Sequence, residues 1–160
     1  MSLYVKILIM IGVIASLTAC TNFKAFMDKP DAKLLYRHSS PDFIVAWNTL
    51  QAGNEAVIDG LITNVKNIQV LDIDLTVVVL NSDGRHLSEG TVLFDKMNLK
   101  MNNSVSFSVK LKDAIIAKDS ILEFIINYRI NTGSWNGRNA QSRFKVDAAT
   151  GGAIGEPKEE

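Results

Sequence analysis

The sequence predicts an all-β fold, a two-sheet antiparallel sandwich of about seven strands. Three features point there: period-two alternation of apolar and polar residues in several stretches, turn residues between those stretches, and no long helical pattern in the region they span. Alternation puts successive side chains on opposite faces of a strand, whereas a helix would smear the same residues around its circumference.

Taken in order, Phe43–Leu50 is the first expected strand, with Phe43, Val45 and Trp47 on one face. Ala56–Lys66 follows, with Ile58, Gly60 and Ile62 opposite Val57, Leu61 and Val65. Asp72–Leu80 points Ile73, Leu75, Val77 and Val79 inward and Asp72, Asp74 and Thr76 outward, and its β-branched content suits a pleated surface. Thr91–Asp95 is expected to be short. The clearest strand is Ser104–Lys112, where Val105, Phe107, Val109 and Leu111 alternate with Ser104, Ser106, Ser108, Lys110 and Lys112. Ile121–Ile130 turns Leu122, Phe124, Ile126, Tyr128 and Ile130 one way, and Glu123, Asn127 and Arg129 the other. Arg143–Asp147 closes the set with Phe144 and Val146. Asn81-Ser82-Asp83-Gly84 and Met101-Asn102-Asn103 read as turns, the first with a glycine where a positive φ is expected. Asp113–Asp119 reads as a helical turn crossing between sheets. Two faces of alternating apolar residues bury each other at about 10 Å separation; a closed barrel is the alternative architecture.

The first residues belong to a different plan. Lys6 supplies a positive charge, Ile7–Leu17 is almost wholly apolar, and Leu17-Thr18-Ala19-Cys20 follows. A secretory signal needs a basic start, an apolar centre of about 7–15 residues and small residues at the cut. A membrane-spanning helix needs about 20 apolar residues, which the run before Cys20 barely reaches even when Lys6 is counted in. Leu17-Thr18-Ala19-Cys20 resembles the lipobox of bacterial lipoproteins. The resemblance implies cleavage before Cys20, a thioether-linked diacylglycerol on its sulfur and acylation of the new amino terminus. In that family an Asp after the lipidated cysteine retains the protein at the inner membrane. Thr21-Asn22 stands there instead, so the resemblance implies an outer-membrane anchor facing the periplasm. The expected organisation is a signal peptide over 1–19, a lipidated cysteine and tether over 20–41, a β-sandwich over 42–147 and a flexible acidic tail over 148–160.

A second resemblance covers residues 56–112. Ile58-Asp59-Gly60-Leu61-Ile62-Thr63-Asn64 resembles the Gly-x-Val-x-Asn strand of small immunoglobulin-like domains in bacterial envelope proteins, among them the group named for a Phe-x-Leu-Tyr-Asp motif. An apolar strand and turn follow, Val77-Val78-Val79-Leu80-Asn81-Ser82-Asp83-Gly84, and then a Phe-bearing strand, Val105-Ser106-Phe107. Val77, Leu80 and Asn81 stand where that group has Phe, Tyr and Asp, and Asn102-Asn103 replaces its Pro-Gly. The resemblance implies an immunoglobulin/fibronectin-III-like sandwich and an accessory or binding role without catalysis.

Composition narrows the function classes. The chain carries 17 basic and 17 acidic residues, without a basic cluster, so it lacks the electrostatic footprint of a nucleic-acid binder. Cys20 is the one cysteine, which excludes an intrachain disulfide. His38 and His86 have no sequence neighbour with which to form a zinc pair and read as exposed polar residues. Asp72 and Asp74 share a strand face, with Asp59 and Asp83 as further carboxylates, but no calcium-loop pattern accompanies them. Asp42, Asp72 and the serines permit a triad on paper, yet there is no Gly-x-Ser-x-Gly. No enzyme activity, metal or cofactor is expected. The distinctive surface feature is Asn131–Asn139, where glycines and polar residues bracket Trp135 and Arg138. Trp and Arg are enriched at binding hot spots, which makes Trp135 and Arg138 the candidate partner-binding residues; the other reading is an indole folded back to cap the core. The expected function is a membrane-anchored periplasmic module for protein interaction or envelope assembly, with an envelope protein as partner. The alternative is a carrier of a small apolar ligand between the sheets.

Replacing the lipidation residue, Cys20→Ser, should leave an uncleaved or mislocalised precursor. Mass spectrometry of the wild-type protein should find Cys20 as an acylated amino terminus; an intact Met1 start without acyl mass contradicts the lipobox.

Overall fold

The computed structural model describes residues 34–132 and 137–155, apart from the side chains of residues 95 and 96. Cys20 and Trp135 lie outside the described residues. Eight strands form: β1 (Tyr36–Ser39), β2 (Phe43–Ala52), β3 (Glu55–Asn64), β4 (Val70–Leu80), β5 (His86–Leu99), β6 (Ser104–Leu111), β7 (Ile121–Ile130) and β8 (Arg138–Asp147). One sheet has the order β1-β2-β3-β6 and the other β5-β4-β7-β8, with every neighbouring pair antiparallel. The chain passes between sheets after β3, β5 and β6, the Greek-key connectivity of an immunoglobulin-like sandwich. The edges approach without sharing a ladder, so the architecture is a sandwich and not a closed barrel.

Alternation builds the core as expected. Phe43, Val45 and Trp47 from β2, Ile58 and Ile62 from β3, and Phe107, Val109 and Leu111 from β6 are buried against Ile73, Leu75 and Val77 of β4 and Leu122, Phe124 and Ile126 of β7. The Gly-x-Val-x-Asn-like segment of β3 acquires a physical meaning here. Trp47, Gly60 and Phe107 stand side by side on the inner face. A Cβ on Gly60 would lie 2.2 Å from the carbonyl oxygen of Ala46 and 2.6 Å from Cζ of Phe107, so the Phe107 ring occupies the space the glycine leaves. Four residues on, Asn64 is fully buried. Its Nδ2 donates to the carbonyls of Ile68 (2.8 Å) and Leu99 (3.0 Å), and its Oδ1 accepts from the Lys66 N–H at 2.9 Å. A buried amide with its donors and acceptor used fixes a loop at little cost, and this one joins the start of the β3–β4 loop to the end of β5.

The structure differs from the sequence reading in five places. Tyr36–Ser39 falls inside the expected tether but is a strand, because Tyr36 and His38 alternate with polar Arg37 and Ser39 and point inward. His38 is buried and stacks on Phe144 at 3.9 Å, so it is not an exposed polar residue. β5 begins at His86 and β8 at Arg138, earlier than expected, because their inner positions carry small residues. Gly90 lets β5 approach β6, where an added Cβ would sit 2.6 Å from the Lys110 carbonyl oxygen, and the Ser88 hydroxyl donates to the Lys112 carbonyl at 2.7 Å. On β8 the inner positions before Phe144 are Ala140 and Ser142. Asp113–Asp119 crosses between sheets without forming a helix. The described part of the expected flexible tail folds back on β8: Ile154 N–H donates to the Lys145 carbonyl at 2.8 Å, Asp147 N–H to the Gly152 carbonyl at 2.9 Å, and the Asp147 carboxylate caps Ala149 and Thr150.

Phe107→Ala should lose about 3–5 kcal/mol, as expected for a buried ring, while outward-facing Ser106→Ala should change little. Gly60→Ala should cost about 1–3 kcal/mol or more through overpacking, and truncating Phe107 in the same chain should not rescue it, since the nearer obstacle is the Ala46 backbone. Chemical-denaturant midpoints check all four proteins; a rescued double variant would show that the ring alone demands the glycine.

Candidate functional site

The sandwich has two ends. At one lie the β2–β3 hairpin, the Asn81–Gly84 turn and the 112–120 crossing. At the other lie the β1–β2 turn, the β3–β4 loop and the end of β7, the last two joined where Asn131 N–H donates to the Gln69 carbonyl (3.0 Å) and Asn131 Nδ2 to Gln69 Oε1 (2.8 Å). Beside this end, the outer face of the second sheet carries an open depression of about 740 Å³, lined by Asp72, Asp74, Asn127, Arg129, Asn139 and Gln141.

Strand register makes this surface. Asp74, Asn127 and Gln141 form one cross-strand row over β4, β7 and β8, and Arg129 and Asn139 begin the next. Gln141 Nε2 donates to Asn127 Oδ1 at 2.8 Å, a bond that does not use the Asn127 amide hydrogens or the Gln141 oxygen. A β-bulge interrupts β4 between Leu71 and Ile73, and Asp72 holds φ +46°. Val70 and Ile73 therefore both face the core, and Asp72 is the extra residue, turned out toward Arg129. Asp enters left-handed backbone more readily than most residues, and bulges re-aim side chains. Asp72 and Arg129 Nη2 form an ion pair that is partly exposed on both sides; such a pair contributes little stability but fixes the two side chains. Gly137, at φ +50°, lies close against β7, since a Cβ there would meet Arg129 Cγ and the Ile130 carbonyl oxygen, each at 2.8 Å. Carboxylates, amides and one guanidinium, set in rows on a rigid sheet, suit hydrogen-bonded recognition.

Behind the site, Asp42 ties the two sheets. Tyr128 donates its hydroxyl to Asp42 Oδ2 at 2.6 Å, Lys66 pairs with Oδ1, and Val65 N–H donates to the Asp42 carbonyl at 3.1 Å. Partial burial opposes ionisation of Asp42, but the hydrogen bonds from Lys66 and Tyr128 outweigh it and hold the carboxyl below its ordinary range. Burial first, then the Asp42 carboxylate, pushes the Tyr128 phenol far above its ordinary range. On the same outer face as the depression, the hydrogen bond from Arg143 keeps Glu123 ionised against its burial.

The structure brings together only some of the residues singled out from sequence. Arg138 is exposed at the start of β8, opposite Ile130. Asp72 and Asp74 share the depression, whereas Asp59 faces Asn48 and Ser108 on the other sheet and Asp83 lies in the turn at the far end. Asp42 serves the Tyr128 strut. His86 meets Glu89 at 3.3 Å on the surface. Among the described residues no three His, Cys, Asp or Glu side chains converge as a metal site would need. Gln141 escaped sequence reasoning, and Asn139, expected at the end of the Asn131–Asn139 loop, lies on a strand instead, because the first half of β8 has no large inward residue to reveal the alternation.

No protein-family model matches the chain, and no curated protein matches it. Solved structures similar to it include the GAE domain of GGA2p from Saccharomyces cerevisiae, at 14% identity over 69% of this chain and 94% of that one, with a TM-score of 0.43. The putative ApaA protein from Bordetella pertussis is similar at 12% identity over 70% of this chain and 94% of that one, with a TM-score of 0.45. A β-glucuronidase from Bacteroides uniformis shares 15% identity over 64% of this chain but only 13% of its own length, with a TM-score of 0.38. None of these likenesses bears on what this chain does.

The Asp42 strut predicts a pH dependence. A carboxyl held below its ordinary value stabilises the fold fully above the unfolded pKa, and that contribution fades as pH falls through the folded value. Asp42→Asn should therefore lower Tm near neutral pH, and the gap from wild type should shrink on descending below about pH 4. Thermal unfolding between pH 7 and pH 3 measures this. A gap that stays constant across the range would show that the carboxylate charge is not what joins Lys66 and Tyr128.

Proposed function

We propose that this chain is a bacterial lipoprotein, anchored through acylated Cys20 in the outer membrane and facing the periplasm, whose sandwich is a non-enzymatic module for protein interaction or envelope assembly. The observation that carries this reading is the placement of the polar depression. It sits on rigid strands where β7 ends and β8 begins, next in sequence to Arg138. Sandwich domains recruit end loops for recognition because a stiff scaffold positions them while they tolerate change.

The filling of the inter-sheet space favours an interaction module over a carrier of apolar ligands. Ile58, Val77, Phe107 and Phe124 are almost completely buried, and Phe144 nearly so. Phe124 stacks on Phe144 with centroids 4.9 Å apart and meets Trp47 at 4.8 Å. A pouch for a small molecule needs such side chains to line open space, whereas these pack against each other.

Affinity capture of the intact lipoprotein from envelope membranes, after cross-linking, tests the module. Trp135→Ala and Arg138→Ala should each abolish recovery of the wild-type partner while leaving the unfolding transition nearly unmoved, since truncating a central interface anchor costs at least about 2 kcal/mol of binding. Trp47→Ala supplies the contrast and should lower Tm, because that indole is buried. Equal losses of Tm from Trp135→Ala and Trp47→Ala would make Trp135 a cap on the core and remove the loop from the proposal.

A further inference from the structure

The end of the sandwich opposite the depression carries its own surface. Leu35 is 71% exposed, Leu50 55% and Ile115 67%. Register brings the first two together. Tyr36 opposes Trp47, so Leu35 falls beside Asn48, whose Oδ1 accepts its N–H at 2.8 Å, and Leu50 is the next outward residue along β2. Half-buried Val57 stands directly across from Leu50 and continues the patch onto β3. Ile115 is held near the same hairpin by Gln51: its Nε2 donates to the Ala114 carbonyl at 2.9 Å, and its Oε1 accepts from the Ile116 N–H at 3.1 Å. Ala114 N–H in turn donates to the Asn54 carbonyl at 2.8 Å. The crossing is thus pinned to the hairpin while Ile115 stays in solvent.

We infer that this hairpin end rests on the lipid bilayer through Leu35, Leu50 and Ile115. The inference deepens the reading above and rests on acylation of Cys20. The path of the chain supports a lipid occupant. β1 runs from Tyr36, opposite Trp47, to Ser39, opposite Ile44, and so away from the hairpin; Leu35, just before it, lies toward the hairpin side. Residues 21–34 separate the anchor from this point, a span of at most about 50 Å even if fully extended. A tether of that length keeps the patch at a high effective concentration near its own membrane. Three aliphatic side chains, too few to hold a free protein on lipid, then suffice as a second contact after the acyl chains. Flanking charges are mixed, Lys110, Lys112 and Lys118 against Glu55, Asp113 and Asp119, so the contact draws on apolar burial and needs no anionic lipid. It turns the Asp72–Arg129 depression outward, toward the periplasmic space.

The test uses the full acylated protein in phosphatidylcholine vesicles. Cys20 is the one native cysteine, so a Lys118→Cys or Asn139→Cys substitution adds a single labelling site for an environment-sensitive dye. Lipids brominated along their chains should quench the dye at position 118 at least about twofold more than at position 139, as expected for side chains that reach the headgroup boundary. Adding Leu35→Ser, Leu50→Ser and Ile115→Ser should remove the difference without changing Tm, since all three are exposed. Equal quenching at both positions, with Cys20 acylated by mass, overturns the contact and leaves the anchor standing. Shielding at position 118 that grows with protein density and ignores bromination identifies a second copy of the chain as the occupant and overturns it too. A Cys20 without acyl mass overturns the anchor and the contact together.

Discussion

Packing of the Phe107 ring over Gly60 is the constraint on which the rest of the sandwich depends. The ring comes from the edge strand β6 and crosses the space where a side chain of β3 would stand, next to Trp47 of β2. Three strands of one sheet are thereby locked in register by a single contact, because a one-residue slip would bring a Cβ into that space. From Trp47 the aromatic packing continues without a gap: to Phe124 at 4.8 Å, to Phe144 at 4.9 Å and to His38 at 3.9 Å. Tyr36, also on β1, meets Trp47 at 5.7 Å. The five rings start and finish on β1, so that short strand is gripped by both sheets.

Register set in the core determines what appears outside. Because Phe124 and Ile126 must face inward, Glu123, Asn127 and Arg129 must face out, and the same parity on β8 exposes Asn139 and Gln141. The row of amides and carboxylates is thus a consequence of core pairing, with one exception. Asp72 breaks the parity of β4 by a bulge and a left-handed backbone. Without that extra residue Val70 and Ile73 could not both be buried, and Arg129 would lose its partner. A residue in so sparsely populated a conformation persists only where its surroundings hold it. Here the holding comes from Val70 and Ile73 on the inside and Arg129 on the outside.

How far this was legible in the sequence follows from the same physics. β4, β6 and β7 could be read because their inward positions carry Ile, Leu, Val and Phe, which separate sharply from Asp, Ser, Lys and Asn. The beginnings of β5 and β8 could not, because Ser88, Gly90, Ala140 and Ser142 are small inward residues, and at Ser88 and Gly90 the edge of β6 comes close enough to exclude large side chains. Small inward residues erase the hydrophobic signal that reveals a strand. β1 was hidden for another reason: an inward histidine looks polar until Phe144 is placed against it. Residues 148–155 fold back through backbone bonds to β8 and the Asp147 cap, which glycine and threonine can make without burying apolar area, so composition does not reveal them. Of the candidate site, Asp72, Asp74, Asn127 and Arg129 were placed on the correct faces by alternation, but their convergence needed the pairing of β7 with both β4 and β8, a long-range fact that periodicity does not contain.

The arrangement of the two ends gives the proposed function its physical sense. A short sandwich transmits position well: Asn64 and Asp42 clamp the loops at one end, and Gln51 and Ala114 clamp the crossing at the other. Neither end can reorient without breaking satisfied hydrogen bonds in the body between them. If acyl chains and three aliphatic side chains hold one end at a membrane, the orientation of the Asp72–Arg129 surface is fixed along with it, and a partner meets that surface at a defined height and angle. Recognition then gains from pre-orientation, because rotational freedom already restricted by the membrane need not be lost again on binding. A polar surface with modest intrinsic affinity is adequate under those conditions, which fits a site made of partly exposed amides and one exposed ion pair better than it fits a deep, dry pocket.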